Sequence, residues 1–362
     1  MQYKLSQLVN YSNDKINSSL LTNLNYISTE NMLPNIGGII KSSNVPLNTN
    51  VCKFIKDNIL LSNIRPYFHK LYLSTFTGGC SNDVLCFKIT NPKIINPKYL
   101  YYAMSTKSFI DYVVSTSKGT KMPRGDKNAI LEYTFNVASI PQQLLIVDTV
   151  GSLDNKIENN NKIIERLIIW KANNYKNALS NIPCQEYNLL DMVDFIGGTQ
   201  PPKSEHIYDY KQGYIRFIQN RDYSSENHLT YIKESTKNKL CNEYDIMMDK
   251  YGEAGKVRFG ISGAYNVALA KIDPKNKVYQ EWIREFLNTQ EIQQYLFNSS
   301  IASTRASVSE NNLMNIKIPV PSKDYIAKFE EKHKIIIKFI LKLKQENKQL
   351  ENLKKLYLSY YF

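Results

Sequence analysis

The chain repeats itself. YKLSQLV from Tyr3 aligns with YNLLDMV from Tyr187, and DNILLSNIRP from Asp57 with YDIMMDKYGE from Tyr244. YLYYAMSTKSFIDY (Tyr99 to Tyr112) aligns with WIREFLNTQEIQQY (Trp282 to Tyr295), and KIENNNKIIERL from Lys156 with KLKQENKQLENL from Lys342. Each match alone is weak, but the offsets stay between 183 and 187 along nearly the whole 362 residues. A chain duplicated in this way has to fold as two copies of one unit. Its length excludes a peptide hormone, a knottin or a single small binding module.

Each copy has two parts. Residues 1–139 and 181–321 mix short strand-like runs with turn clusters and short helical patterns, which predicts two compact α+β domains. The strand-like runs are Ile59–Leu61, Val84–Ile89, Asp245–Met248 and Asn266–Ala270. Residues 140–180 and 322–362 are nearly free of glycine and place apolar residues at steps of 3 and 4, which predicts one long helix each. In the first helix Val147, Val150, Asp154, Ile157, Asn161, Ile164 and Ile168 trace a coiled-coil seam; in the second, Ile336, Ile340, Leu343, Asn347, Leu350 and Tyr357 do much the same. The repeat sets Asn161 opposite Asn347, each read as a core position of its heptad. A polar residue there costs stability but fixes register, unless the seam is irregular and the amide partly exposed. About 40 helical residues span about 60 Å at 1.5 Å per residue. Two such helices packed antiparallel would hold two globular heads apart.

The expected chemistry is that of binding. There is no phosphate loop and no dinucleotide fingerprint; GEAGK at Gly252–Lys256 is one spacer short. Base methylation would call for a D/N-P-P-Y/F element, and NIPC (Asn181–Cys184) and NPKY (Asn96–Tyr99) are poor matches. Asp245, Asp249, Glu253 and Lys256 lack nuclease spacing, and His69, His206, His228 and His333 show no ligand spacing. Cys52, Cys80, Cys86, Cys184 and Cys241 form no C-x-x-C pair and read as small buried hydrophobes or inert thiols. With no signal-like or membrane-length apolar run, the expected location is the cytoplasm, with no membrane partner.

The net charge of +13 points to a polyanion, although abundant Asn, Lys, Ile and Tyr also fit an AT-rich genome. The charge is uneven: residues 1–139 hold 15 basic and 7 acidic side chains, whereas 181–321 hold 16 and 17. What recurs in both copies is basic residues set among turn residues and aromatics, as phosphate and base contacts require. The first copy has NIRPYFHK, with Arg65 and Lys70, and SKGTKMPRGDK, with Lys118, Lys121 and Arg124. The second has GGTQPPKS (Gln200, Lys203), RFIQNRDY (Arg216, Asn220, Arg221), DKYGEAGKVR (Lys250, Tyr251, Lys256, Arg258) and ASTRAS (Thr304, Arg305). Arg suits guanine, Asn and Gln suit adenine, and Lys suits phosphate. Any one of these loops, taken singly, also fits a solvated surface turn.

On these strings the sequence resembles the DNA specificity subunit of type I restriction-modification systems. The strings closest to the family are YISTENM (Tyr26–Met32), DNILLSNIRP, KIENNNKIIERL, YDIMMDKYGEAGKV and FIGGTQPPKSEHIYDYKQGYIRFIQNRDY (Phe195–Tyr223). A proline-rich entry to the long helix is kept in the second copy (IPVPSKDYIAKFE) and degraded in the first (NVASIPQQLLI). The resemblance implies two target-recognition domains (1–139 and 181–321), a central long helix (140–180) and a C-terminal one (322–362). It implies that each domain reads one half of an interrupted double-stranded target and that the helices set the spacer. It further implies a non-catalytic chain that binds no cofactor itself. Two methyltransferase subunits would dock along the helices and carry S-adenosylmethionine, and motor-nuclease restriction subunits would complete the complex. A diverged stand-alone methyltransferase or endonuclease is the alternative, as is a coiled-coil structural protein with basic heads.

Overall fold

A computed structural model describes residues 1–226, 228–301 and 307–362. The chain divides into two compact units, Met1–Glu158 with Lys348–Phe362, and Asn159–Asn347. In the first unit the strands are β1 Gln2–Lys4, β2 Val9–Tyr11, β3 Lys15–Asn17, β4 Tyr26–Ile27, β5 Asn50–Phe54, β6 Ile59–Ser62, β7 Leu71–Leu73, β8 Gly78–Cys80, β9 Val84–Ile89 and β10 Thr134–Asn136. The helices are α1 Pro97–Met104, α2 Lys107–Ser115, α3 Lys127–Glu132 and α4 Ile140–Asn181, the last continuing into the second unit. There follow β11 Gln185–Asn188, α5 Leu189–Met192, β12 Val193–Gly197, β13 Tyr214–Ile218, β14 Tyr231–Lys233, β15 Leu240–Cys241, β16 Ile246–Asp249, β17 Val257–Arg258, β18 Gly263–Tyr265 and β19 Leu269–Pro274. The chain ends with α6 Gln280–Leu287, α7 Gln290–Ile301, β20 Lys317–Val320 and α8 Lys323–Tyr361.

The duplication is visible in the sheets. One four-stranded sheet runs β2-β9-β6-β7 in the first unit and β12-β19-β16-β17 in the second, the same order of corresponding strands. The central strand β6, Ile-Leu-Leu-Ser, is buried throughout, as befits a strand covered on both faces. The other sheet runs β3-β5-β8-β4 and β14-β13-β18-β15. In each, one pairing is parallel, β4 with β8 and β13 with β18. Matching those pairs leaves three shared strands and a fourth on opposite edges, β3 beside β5 but β14 beside β13. The run at Asn266–Ala270 is half turn: the Asn266 Oδ1 accepts the Ala268 N–H at 3.1 Å, and pairing starts only at Leu269.

The helical stretches Tyr99–Tyr112 and Trp282–Tyr295 are each broken at the same place, and for the same reason. In the first, Ser105 Oγ donates to the Tyr101 carbonyl and Thr106 Oγ1 to that of Ala103, each at 2.7 Å. In the second, Asn288 Nδ2 donates to Arg284 O and Thr289 Oγ1 to Phe286 O, each at 2.9 Å. Side chains that take backbone carbonyls compete with the helix and end it. The first core gathers Leu5, Leu8, Ile59, Phe87, Tyr99 and Phe109. The second gathers Trp282, Ile283, Phe329 and Tyr175, with the indole N–H of Trp282 donating to Pro319 O at 2.8 Å.

Both long helices are present, and within the second unit they run antiparallel, Asn160 meeting Asn347 while Asn174 meets His333. Half of the expected seam on α4 is off by one residue. Val150 and Ile164 are buried, but the partners between them are Ile146 rather than Val147 and Asn160 rather than Asn161; Ile168 is half exposed. Positions adjacent in sequence flank the same stripe, and the pairs Ile146/Val147, Asn160/Asn161 and Leu167/Ile168 are too alike for pattern to choose between them. Asn161 is therefore an exposed flank residue and Asn160 the buried one. The two amides act together: Asn160 Nδ2 donates to Asn347 Oδ1 at 2.8 Å and to Glu346 Oε2 at 2.9 Å, while Asn347 Nδ2 donates to Asn161 Oδ1 at 2.8 Å.

Replacing Asn160 alone by Leu strands the buried Asn347 amide and lowers stability by about 1–3 kcal/mol. The double variant N160L/N347L recovers most of that loss, and denaturant titration of the two reads the difference. A second expectation concerns Glu330 on α8, whose Oε1 accepts the first-turn N–H groups of Glu281 and Trp282 at 2.5 and 3.0 Å. Burial dominates those bonds and pushes its carboxyl up to about 7 from the ordinary 4.5. A carboxyl raised in the folded state favours folding while protonated. That contribution is complete below the ordinary value and is lost as pH rises through about 7. Between pH 5 and 8 the wild type therefore loses stability relative to E330Q, measured as melting temperature against pH.

Candidate nucleic-acid interface

In the first unit the β6–β7 loop meets the loop after α2. Ile64 and Arg124 form an antiparallel bridge, as do Lys118 and Arg124, and the Arg65 N–H donates to Pro123 O at 2.8 Å. The two basic motifs, 55 residues apart in sequence, thus form one surface. Its cations differ in what they hold. Arg124 pairs with Asp83 at 3.1 Å. Lys118 pairs with Asp126 at 2.5 Å and, as its hydrogen-bond donor, holds that carboxyl below the usual range. Asp126 also caps α3 through the Asn128 and Ala129 N–H groups. Lys70 donates to Thr29 O at 2.6 Å and is half-buried. Arg65 and Lys121 are exposed, and neither side chain has a carboxylate partner among the described residues.

The second unit builds the corresponding surface. Tyr251, in the β16–β17 loop, bridges Ser307, and Val308 N–H donates to Lys250 O at 2.9 Å. Ile64 with Arg124 and Tyr251 with Ser307 are the same contact in the two copies. A third segment joins here, because Asn220 Nδ2 donates to Tyr251 O at 2.9 Å. The GGTQPPKS segment also arrives: Lys250 Nζ lies 3.7 Å from where a Cβ on Gly197 would stand. Gly198 passes so close to Asn266 that a Cβ would sit 2.0 Å from its carbonyl oxygen, so only glycine fits. Lys250 Nζ lies 6.0 Å and 5.9 Å from the ring centroids of Phe195 and Tyr251. Gln200, Lys203 and Arg221 are exposed, Arg221 with Asp222 at 3.8 Å. Thr304 and Arg305 lie outside the described residues.

Two arginines on the expected contact surface are held inside the protein. Arg258 donates to the buried Asp249 through Nε (3.1 Å) and Nη2 (2.8 Å), and also pairs with Glu253, which takes Lys256 at 2.5 Å. Burial pushes the Asp249 carboxyl up while Arg258 pulls it down. Arg216, on β13, pairs with Glu226 at 2.7 Å. Sequence reasoning selected no aromatic residue in the first unit, yet Tyr67 and Phe68 stand exposed at the β6–β7 tip, their rings 4.8 Å apart. The signal was present in the string RPYFH, where two aromatics follow a proline in a turn. Among the described residues no group of three or more His, Cys, Asp or Glu is placed to hold a metal ion, and no helix is long and apolar enough to cross a membrane.

The arrangement is that of a duplicated α+β protein, in which each copy pairs two sheets with a share of two long helices and presents one composite loop surface. Residues 181–356 match the family described as the type I restriction modification DNA specificity domain. The chain belongs to that type I restriction-modification specificity family. A type I restriction enzyme EcoDI specificity subunit from Escherichia coli is 31% identical over 101 residues, 28% of this chain and 22% of that protein, so the matched stretch spans about a fifth of the relative's length. The type I restriction-modification S subunit of M. genitalium has the same fold, with a TM-score of 0.61 at 16% identity over 99% of this chain and 94% of that one.

The ion pairs separate structural from free cations. R258A leaves Asp249 buried without a counter-charge and lowers stability by about 3–5 kcal/mol, whereas K121A changes it by less than about 0.5 kcal/mol. Thermal melts of the two variants check the contrast.

Proposed function

We propose that this chain is the sequence-specific, double-stranded-DNA-binding specificity subunit of a type I restriction-modification complex. The observation that carries the reading is the recurrence of one composite loop surface in both copies. Two basic segments, distant in sequence, are joined by the same bridge at Ile64 and at Tyr251. Residues 1–139 read one half of an interrupted target and residues 181–321 the other. Lys and Arg hold phosphates, and Arg, Asn and Gln read base edges. The long helices set the number of unread base pairs, since two half-sites must be engaged at once on a duplex that turns about every 34 Å. Two methyltransferase subunits dock along those helices and bring S-adenosylmethionine. Restriction subunits supply the motor and nuclease. Methylation and cleavage then belong to the partners, and this chain contributes the address.

Selection of bound duplexes from a random pool by the purified chain returns a split consensus with a fixed gap. A pool that stays random excludes specific reading, and DNA turnover by the chain alone excludes the adaptor role. On the selected duplex, K121A flattens the slope of log affinity against log salt by about one ion. Adding one heptad to each helix, after Asn161 and after Asn347, changes the preferred gap and leaves both half-sites intact.

A further inference from the structure

The β6–β7 and β16–β17 loops can be superposed strand for strand, because Leu61 pairs with Leu71 as Met248 pairs with Val257. Counted from those strands, the chain turns left-handed at the same two places in both copies. In the second unit both places are glycine, Gly252 with φ 78° and Gly255 with φ 90°. In the first they are Arg65 with φ 48° and His69 with φ 51°. Glycine adopts this conformation freely; an ordinary L-residue pays about 1–2 kcal/mol. The first copy therefore keeps two strained residues where glycine satisfies the backbone.

The strain is supported from outside the loop. Asn35 and Ile36, themselves at φ 55° and 58°, donate their N–H groups to the Phe68 and His69 carbonyls, both at 2.8 Å. The Arg65 N–H is tied to Pro123 O at 2.8 Å. Strain held by surrounding structure collects where side chains are used. The residues it raises are different in kind from those of the second copy. Between its two left-handed positions the second loop carries Glu253, which is ion-paired to Lys256 and Arg258, and Ala254, which is buried. The first is one residue longer and carries Pro66, Tyr67 and Phe68, with Tyr67 47% and Phe68 39% exposed. Beside them the Arg65 guanidinium has no carboxylate among the described residues, and Lys70 Nζ lies 5.8 Å from the Phe68 ring centroid. A rigid pair of exposed aromatics next to an uncommitted guanidinium suits neither a core nor a plain phosphate clamp. It suits contact with bases, whose edges offer both apolar and acceptor groups.

We propose that Arg65–His69 is a base-contact finger peculiar to the first recognition domain, in which Arg65 bonds a base edge and Tyr67 and Phe68 pack against the adjoining bases. The second domain has no counterpart and reads its half-site with other residues. This rests on the DNA-reading function proposed above, and the two can fail separately.

The experiment uses the full chain and the duplex that it selects from a random pool. Y67A/F68A binds that duplex at least about tenfold more weakly while keeping the wild-type salt slope, because no phosphate contact is removed. Repeating the selection with this variant returns a consensus degenerate at one or two positions of one half-site only. R65G melts no lower than wild type, since glycine relieves the strained φ, yet binds at least about tenfold more weakly with a slope reduced by about one ion. A purely structural tip predicts altered melting with unchanged consensus. If both variants keep the wild-type affinity and consensus, the finger is overturned while the DNA-reading function stands. If the wild-type chain selects no consensus, that function itself fails, and the finger with it.

Discussion

The second unit is organised around an ammonium group with almost no access to water. Lys171, on α4, places its Nζ 3.0 Å from Glu281 and 2.9 Å from Glu285 on α6, and all three side chains are less than a tenth exposed. Arg284 completes the set by pairing with Glu281 at 3.0 Å and donating to Tyr244 O. Charges buried this deeply are tolerated only when each is matched, so the set fixes the distance and rotation of α6 against α4 far more narrowly than apolar contact does. Burial pushes the Glu285 carboxyl up, whereas Arg284 and Lys171 hold that of Glu281 down against the same burial. With α6 located in this way, Trp282 reaches the Pro319 carbonyl and the loop surface above the sheet has a fixed floor.

The first unit solves the same problem with other chemistry. The repeat offset of 183 sets Lys98, Tyr101 and Tyr102 where the second copy has Glu281, Arg284 and Glu285. Here the link to the long helices is a phenol: Tyr102 donates to Asp154 at 2.7 Å, and Asp154 also takes Lys354 of α8 at 2.6 Å. Burial, with Asp154 nearby, raises the Tyr102 phenol well above its usual range and keeps it a donor. Duplication preserved the position of the helix and not the means of holding it.

Much of this organisation is legible in the sequence, and the limits have physical causes. The repeat, the two α+β parts and the long helices follow from offsets and periodicity. The seam on α4 was half right because Val150 and Ile164 are unambiguous, whereas Asn160 and Asn161 differ only in which flank of one stripe they occupy. The edge strands β3 and β14 were not foreseen, since three-residue strands carry no usable alternation. At the candidate interface the loops were found and their cations were not sorted. Arg65, Arg124 and Arg258 look alike in a string. What separates them is a carboxylate elsewhere: Asp83 for Arg124, Asp249 and Glu253 for Arg258, and none for Arg65. Net charge would also have missed the second unit, whose neutrality reflects this internal pairing.

The fourth strand of the smaller sheet stands on opposite edges in the two copies. A strand added or lost at an edge leaves every interior hydrogen bond in place, because only one row of donors and acceptors changes partners. Three strands, the second sheet and the helices can then stay constant while the margin is rewritten. Each half of the molecule is thereby free to diverge at its rim without renegotiating its core, and a change acquired by one half imposes nothing on the other.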